Sequence, residues 1–136
     1  MSQFVRHAGL GGRLVMIGCG SIGQAILPLL HRHIDVAAER MTIVTADGRG
    51  REAARAFGVA FHETAITRDN MRELLEPLVG AGDFVLNLSV DVSSMAIVEF
   101  CRERGALYLD TCIEPWAGAY FDPGLSPSQR SNYTLR

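Results

Sequence analysis

Short apolar runs alternate along this chain with segments whose apolar residues recur at helical spacing. The apolar runs predict five strands, at residues 14–17, 41–45, 59–62, 83–88 and 107–110. The intervening segments predict four helices, at residues 21–33, 49–57, 68–79 and 93–104. Strands that alternate with helices are typical of a parallel sheet with right-handed crossovers. The predicted fold class is therefore α/β, a doubly wound parallel sheet of about five strands in the order 3-2-1-4-5.

The apolar stripes of these helices predict which faces are buried. The first helix carries its stripe at Ile22, Ile26, Leu29 and Leu30. The third carries it at Met71, Leu74, Leu75 and Leu78, and the fourth at Met95, Val98 and Cys101. Pro28 lies inside the first helix and predicts a bend near residues 24–25, because proline removes one backbone donor. Pro77 is predicted to bend or end the third helix.

The junction between the first strand and the first helix carries the strongest functional signal. Gly18, Gly20 and Gly23 form a G-x-G-x-x-G at that position. The first permits a tight turn, the second lets backbone approach a pyrophosphate, and the third lets the helix pack close to the sheet. Ser21 is interpreted as a helix N-cap or as a phosphate ligand, and Ile22 follows it in the first turn, whose free N–H groups favour an anion. These five residues predict a dinucleotide site.

The second strand ends where a dinucleotide site carries an acid for the ribose hydroxyl groups. Asp47 is the available carboxylate, slightly late, and Thr45 stands where the acid is expected. The alternative, that Asp47 and Gly48 only form a turn, fits the sequence about as well. Arg49 and Arg51 follow and are suited to a 2′-phosphate. NAD is preferred over NADP.

Polar residues also follow the fourth and fifth strands. Asn87 and Ser89 share one face of the fourth strand's end, and Asp91 follows without an evident structural role. Glu114 and Trp116 follow the fifth strand. Two carboxylates from adjacent strands and an indole suit a cationic amine. The alternative is a surface loop whose tryptophan packs on the domain, and spacing alone favours it slightly.

Composition narrows the function classes. The chain has 136 residues, 48% of them hydrophobic, and a net charge of -2, which favours neither a nucleic acid nor a membrane partner. No signal peptide or membrane-spanning run is evident. Three cysteines without C-x-x-C spacing predict reduced thiols and a cytoplasmic location, with Cys19 as a small filler in the glycine turn. The four histidines have no metal-binding spacing, so no metal site is predicted.

Taken together, several stretches resemble the N-terminal part of bacterial homospermidine synthases, which belong with the saccharopine-dehydrogenase-like dinucleotide-binding folds. The resemblance runs from about Arg13 to the last residue. Its most specific parts are N-L-S-V-D at residues 87–91 and E-P-W at residues 114–116. The glycine motif and the segments 105–111 and 130–136 match as well.

The resemblance implies an NAD-dependent aminobutyl transfer. NAD takes a hydride from putrescine to leave an imine, a second amine displaces ammonia, and the same NADH returns the hydride. The implied NAD ligands are the glycine turn with Asn87, Ser89 and Thr111. Asp91 and Glu114 are implied to face the polyamine and move protons, with Trp116 beside them.

Two positions depart from the family pattern. Thr45 stands where many members carry an aspartate, which leaves the ribose contact open. Cys19 replaces a common aromatic residue beside the cofactor.

The predicted organisation is an N-terminal extension at 1–12, a dinucleotide-binding Rossmann domain at 13–125, and a truncated helix at 126–136. That helix, with Ser126 as N-cap and Pro127 at its first position, would lead to an absent second domain. The isolated chain is expected to be inactive, with polyamines as partners of the whole enzyme and a homo-oligomer as its assembly. Two alternatives are a stand-alone NAD-binding or regulatory module and a related amino-acid oxidoreductase.

Overall fold

A five-stranded parallel sheet lies at the centre of the computed structural model, which describes residues 4–135. The strands are β1 (Ala8–Gly9), β2 (Leu14–Ile17), β3 (Ile34–Asp35), β4 (Met41–Thr45), β5 (Ala60–Glu63), β6 (Phe84–Asn87) and β7 (Leu107–Asp110). The helices are α1 (Ser21–His33), α2 (Arg51–Ala56), α3 (Met71–Leu75) and α4 (Ser94–Arg104), with 3-10 turns at Ala38–Arg40, Ala119–Phe121 and Asn132–Leu135.

The sheet order is β5-β4-β2-β6-β7, with every pairing parallel. This confirms the predicted order 3-2-1-4-5 and the α/β fold class. Ile17 at the end of β2 pairs with Val44 on one side and Asn87 on the other. The loops after β2, β4 and β6 therefore open at one edge, at the point where the strand order reverses.

Each face of the sheet has its own buried cluster. One lies against α3 and α4 and includes Val15, Leu75 and Phe100. The other lies against α1 and α2 and includes Met16 and Leu27. All four residues of β2 are buried, as expected for the central strand of a sheet covered on both faces.

The buried face of α1 matches the predicted stripe in part, since Ile26 and Leu30 pack against the core cluster. Gly23 and Leu27 are its buried residues, whereas Ile22 is 58% exposed and Leu29 is 51% exposed. The cause is the glycine turn, because a Cβ at Gly23 would lie 3.0 Å from the Gly18 carbonyl oxygen. That close approach sets the rotation of the helix about its axis and turns Ile22 outward. The helix runs on through Pro28 without interruption.

Helix α4 is rotated relative to its prediction as well. Ile97, Phe100 and Cys101 are buried, but Met95 and Val98 are among the exposed apolar residues. The segment carries two overlapping apolar stripes, and periodicity alone does not choose between them. The stripe that packs inward is the one that contains Phe100, which is fully buried in the same cluster as Leu75 of α3 and Val85 of β6.

Two helices are shorter than predicted. Helix α3 begins only at Met71, because Thr67 and Asn70 close the preceding turn by exchanging side-chain-to-backbone hydrogen bonds of 2.7 and 3.3 Å. It ends at Leu75, just before Pro77, which was predicted to bend or end it. Helix α2 begins at Arg51, after Gly50 at φ +85°.

The predicted extension at 1–12 takes part in the fold from Phe4 onward. Strand β1 pairs in parallel with β3. An ion pair of 2.9 Å joins Arg6 to Asp35 beside that pairing.

The predicted helix at 126–136 is not an α-helix within residues 126–135. Ser126 accepts a bond from the Gln129 backbone, as an N-cap would. However, the hydroxyls of Ser131 and Thr134 both donate to the Ser128 carbonyl. These local bonds compete with helix hydrogen bonds, and the segment forms turns and the Asn132–Leu135 3-10 turn instead. Within residues 4–135, no helix is long and apolar enough to cross a bilayer.

Candidate functional site

The glycine turn after β2 has the geometry of a phosphate cradle. Gly18 has φ +88°, and a Cβ there would lie 3.0 Å from the backbone of Leu88 and Ser89, so only glycine fits. A Cβ at Gly20 would meet nothing within 4 Å, which leaves open space in front of the turn. Gly18 and Gly23 are thus required by packing, whereas Gly20 keeps the approach to the helix clear.

The N-terminus of α1 faces this space without a side-chain cap. Gly20 is the N-cap residue, and no acidic residue occupies the first turn. Ser21 is therefore the first helical residue, and its predicted N-cap role is wrong because the helix begins one residue earlier than that role requires. Ser21 and Ile22 are both exposed, so their backbone N–H groups suit an anionic ligand.

A cleft of about 440 Å³ opens beside the turn, at the carboxyl ends of β2, β4 and β6. It brings together five of the predicted site residues, Gly18, Thr45, Asp47, Ser89 and Asp91. Thr64 and Thr67, which sequence reasoning missed, line the same cleft. Their position after the carboxyl end of β5 was the signal that could have identified them.

The remaining predicted site residues do not line this cleft. They are Gly20, Ser21, Ile22, Gly23, Asn87, Thr111, Glu114 and Trp116. Residues 4–135 contain no group of three or more side chains that could hold a metal ion.

Two ion pairs occupy the corner where a ribose is expected. Asp47 accepts hydrogen bonds of 2.9 Å from both the backbone and the side chain of Arg49, and these bonds lower the pKa of Asp47. Arg51 pairs with Glu63 and stacks on Phe61. Both arginines are therefore already neutralised, and contact with a 2′-phosphate would compete with an existing pair. This arrangement is consistent with the preference for NAD.

Cys19 is a packing residue in the glycine turn. It is buried, and burial raises the pKa of its thiol. A Cβ at Gly50 would lie 2.3 Å from the Cys19 sulfur, so the loop before α2 rests directly on the turn. The interpretation of Cys19 as a filler fits this position, and Gly50 is a second residue that sequence reasoning missed.

Asn87 is the centre of a buried hydrogen-bond network. Its side-chain oxygen accepts from the Ser89 hydroxyl at 2.6 Å and from the Ser89 backbone at 3.1 Å. Its amide nitrogen donates to Tyr108 at 3.1 Å, and the Tyr108 hydroxyl donates to Asp110 at 2.9 Å. Burial is the main reason that the pKa of Tyr108 rises to about 12. Asn87 therefore orients the loop that lines the cleft, while its side chain is held inside the fold.

The loops after β6 and β7 are joined through Ser94 at the start of α4. The Ser94 hydroxyl accepts from the Glu114 backbone at 2.9 Å, and the Ser94 backbone donates to the Glu114 carbonyl at 2.9 Å. Asp91 adopts φ +65°, and its carbonyl accepts from Ala117 at 3.1 Å. The two loops that carry the predicted catalytic carboxylates are thus connected through their backbones.

Burial is the first cause of the raised pKa of Tyr120, followed by Glu114 and then by the charges of Cys112 and Asp91. The convergence of Asp91 and Glu114 on one substrate stays a prediction. Trp116 packs against the core cluster, which matches the alternative of a structural tryptophan. Thr111 is exposed.

The family follows from a match that spans almost the whole chain. Residues 14–136 match the saccharopine dehydrogenase NADP binding domain. The chain belongs to this family. The strand order and the glycine turn described above agree with this membership. The resemblance to the saccharopine-dehydrogenase-like folds is confirmed.

Two proteins similar to this chain are homospermidine synthases. The Blastochloris viridis protein is 52% identical over 139 residues, which cover 100% of this chain. The Mesorhizobium japonicum protein is 43% identical over 128 residues, or 92% of this chain. The matches span only 29% and 26% of those proteins, so the chain corresponds to less than a third of their length.

A solved structure has the same fold. The homospermidine synthase of Legionella pneumophila, determined in complex with NAD, superimposes with a TM-score of 0.78 at 32% identity. The match covers 82% of this chain and 24% of that protein.

Proposed function

We propose that this chain is the NAD-binding part of a homospermidine synthase. The observation that carries the proposal is the shared sheet edge, where an open glycine turn lies beside two carboxylate-bearing loops. The names of the relatives and the NAD in the neighbouring structure support the same activity. In that activity an aminobutyl group passes from putrescine to a second amine, with release of ammonia and no net change in NAD.

The glycine turn and the cleft fit a dinucleotide. Gly18 and Gly20 leave room for the pyrophosphate beside the free N–H groups of Ser21 and Ile22. Thr45 and Asp47 lie where the ribose would bind, and Ser89, oriented by Asn87, borders the same cleft. Gly23 acts indirectly by holding α1 close to the turn. When bound, NAD would supply an acceptor for the hydride and return it later.

Asp91 and Glu114 are the proposed catalytic and substrate-binding groups. Diamines are dications, and carboxylates both bind ammonium groups and can accept their protons. Trp116 and Thr111 are proposed to shape the edge of the site, the first through its packing on the core and the second through its exposed position after β7.

The complete reaction is proposed to need the remainder of the longer relatives. Because the chain corresponds to less than a third of their length, we expect it to bind NAD weakly and to catalyse nothing by itself. The domain boundaries, the cytoplasmic location, the homo-oligomer and the polyamine partners stay predictions of this proposal.

Calorimetric titration of the chain with NAD, NADH and NADP tests the cofactor. Heat of binding with NAD or NADH, and weaker binding of NADP, is the expected result. Absence of heat with every nucleotide at millimolar concentration would refute the binding proposal.

A chimera tests the reaction. The chain replaces the matching 139-residue stretch of the Blastochloris viridis protein, and the product is assayed with putrescine and with saccharopine. Accumulation of homospermidine without net NADH supports the proposal. Turnover of saccharopine alone would favour an amino-acid oxidoreductase instead.

A further inference from the structure

A series of side-chain hydrogen bonds leads from the edge strand of the sheet to the wall of the cleft. Asp110 and Tyr108 lie on β7, Asn87 ends β6, and Ser89 follows it at the cleft. The contacts measure 2.9 Å between Tyr108 and Asp110, 3.1 Å between Asn87 and Tyr108, and 2.6 Å between Ser89 and Asn87. Asn87 is 2% exposed, so its polar atoms depend on these partners.

The direction of the first two bonds follows from Asp110. A carboxylate can only accept, so the Tyr108 hydroxyl donates its one proton to Asp110. Burial is the main cause that raises the pKa of Tyr108 to about 12, so the phenol keeps this proton at neutral pH. The Tyr108 oxygen is left as an acceptor, and the part of Asn87 that faces it must therefore be the NH2 group.

The other end of the series requires the same orientation of the Asn87 amide. The Ser89 backbone N–H can only donate, and it lies 3.1 Å from the Asn87 side-chain oxygen. A flipped amide would place its NH2 group against this N–H. It would also place its oxygen against the Tyr108 oxygen, whose proton already goes to Asp110. Both contacts would be lost, so two separate constraints select one orientation of Asn87.

This orientation determines the direction of the bond from the Ser89 hydroxyl. The Asn87 oxygen offers only lone pairs, so the Ser89 hydroxyl donates to it and its proton is used inside the fold. The Ser89 oxygen keeps its lone pairs for another partner. Ser89 borders the cleft, where a Cβ on Gly18 would lie 3.0 Å from its backbone, and it precedes Asp91 by two residues.

We propose that Asp110, Tyr108 and Asn87 set the polarity of Ser89, so that its hydroxyl oxygen accepts a hydrogen bond from an O–H or N–H donor of the bound dinucleotide. Asn87 and Tyr108 are positioning residues, and Ser89 is the residue that touches the ligand. A phosphate offers acceptor oxygens and does not complement an acceptor. Ser89 therefore discriminates between parts of the ligand by hydrogen-bond polarity rather than by charge.

The donor belongs to the nicotinamide riboside half of the dinucleotide. Ser89 lies next to the loop that carries Asp91, whereas Thr45 and Asp47 border the cleft where the other ribose would bind. The riboside half carries two kinds of donor, the ribose hydroxyls and the carboxamide NH2. The identity of the ligand rests on the proposed function, whereas the polarity of the hydrogen bonds does not.

NMR of the isotope-labelled chain without ligand tests the polarity. Tyr108→Phe should move the Asn87 side-chain NH2 signals upfield, because they lose their acceptor. Tyr120→Phe is the matched control, since it removes a phenol hydroxyl from the Ala119–Phe121 turn, and it should leave these signals unchanged. Asn87 signals that do not respond to Tyr108→Phe would overturn the proposal.

A measurement on the native chain decides the same point if Tyr108→Phe does not fold. Nuclear Overhauser contacts should connect the Asn87 NH2 protons to the ring protons of Tyr108. Contacts of those protons to the Ser89 backbone N–H instead would show the opposite orientation of the amide and would overturn the proposal.

Chemical-shift titrations with NAD and ADP test the consequence for the ligand. Ser89→Ala should weaken NAD binding about five- to tenfold, the effect of one neutral hydrogen bond. ADP keeps two phosphates and the adenosine but lacks the nicotinamide riboside, so its affinity should change by less than about twofold. Ser131→Ala is the control, since the Ser131 hydroxyl donates to the Ser128 carbonyl, and it should change neither affinity. Equal weakening of NAD and ADP, or unchanged NAD binding, would overturn the proposal.

A third nucleotide identifies the donor. In 3-acetylpyridine adenine dinucleotide a methyl group replaces the carboxamide NH2. An effect of Ser89→Ala that is smaller with this analogue than with NAD supports the proposal with the carboxamide as donor, and an equal effect supports it with a ribose hydroxyl. A native chain that binds none of these nucleotides would count against the proposed function, and the NMR measurements would still decide the polarity.

Discussion

The glycines of the turn after β2 have different physical roles, although the motif presents them as equivalent. Gly18 is required by its backbone, since φ +88° and the 3.0 Å approach to Ser89 exclude a side chain. Gly20 has φ -75°, which any residue can adopt, and nothing nearby that a Cβ would meet. The fold therefore does not require glycine at position 20, and the missing side chain there leaves room for a ligand.

These roles predict that one alanine substitution affects stability and the other affects NAD binding. Gly18→Ala should lower the free energy of unfolding by about 1–3 kcal/mol because it places a side chain in a strained and crowded position. Gly20→Ala should change the free energy of unfolding by less than about 1 kcal/mol. It should weaken NAD binding at least tenfold, which is about the effect of losing one hydrogen bond to a phosphate. Urea denaturation and calorimetry on the same two variants measure both quantities. Loss of stability in Gly20→Ala would contradict the assignment.

At the scale of elements, the start of α4 performs two separable tasks through adjacent serines. Ser93 is the N-cap and accepts from Ala96 at 3.3 Å. Ser94 instead joins the helix to the loop after β7 through Glu114 and the Cys112 carbonyl. The first bond stabilises the helix, and the second set holds the backbone of Glu114, which carries the predicted catalytic carboxylate, in place.

Alanine at each serine separates these tasks. Ser93→Ala should cost about 1 kcal/mol of stability through loss of the cap. Ser94→Ala should cost about 1–3 kcal/mol, since it leaves the partly buried Glu114 N–H without its acceptor. Hydrogen exchange at the Glu114 amide should be faster only in Ser94→Ala. Equal exchange in the two variants would show that Ser94 does not hold the loop.

The strands could be predicted from the sequence because their apolar runs are short and bounded by turn residues. All five sheet strands and their order were predicted, and the bounds of β2, β4 and β7 were correct. The helix faces were harder to predict. In α1 the buried face depends on the contact between Gly23 and Gly18, and in α4 on the choice of Phe100 over Met95.

The candidate site was predictable where its residues directly follow the carboxyl ends of strands. Gly18, Thr45 and Asp91 lie at the shared edge as expected. Ser94 was missed because its role depends on contacts across 20 residues of chain, and no local pattern encodes such contacts.

At the scale of the whole molecule, one buried carboxylate connects two segments at the amino ends of the central strands. Asp83 accepts from the backbone and side chain of Arg13 at 2.7 and 2.9 Å and from the Gly80 backbone at 2.7 Å. Burial alone would raise the pKa of Asp83, but these donors outweigh it and lower the pKa. The carboxylate therefore ties the start of β2 to the turn that precedes β6.

Because the pKa of Asp83 is lower in the folded state, its hydrogen bonds stabilise the fold at pH values above the unfolded pKa of about 4. That stability should disappear as the pH falls through the lower folded value. Asp83→Asn should lower the free energy of unfolding by about 2 kcal/mol at neutral pH and should flatten the profile below about pH 4. Urea denaturation across this range measures the effect, with the exposed Asp69→Asn as control. Parallel profiles for the native protein and Asp83→Asn would contradict it.

Strand β7 forms one edge of the sheet and, among residues 4–135, pairs only with β6. Leu107 and Leu109 are paired with Phe84 and Leu86, and they are 57% and 49% exposed. An edge strand with unpaired backbone groups and apolar side chains is a template for pairing with another chain. The chain studied by itself is therefore expected to self-associate as its concentration rises.

Sedimentation velocity over a range of concentrations measures this association. Leu109→Lys should abolish it, because a charge on the edge strand opposes pairing with a second copy. Leu29→Lys introduces the same charge at an equally exposed leucine on α1 and should leave the association unchanged. If both variants behave alike, the association arises from general surface hydrophobicity rather than from the edge of β7. A chain that sediments as a monomer at all concentrations would show that the edge alone is too weak to recruit a partner.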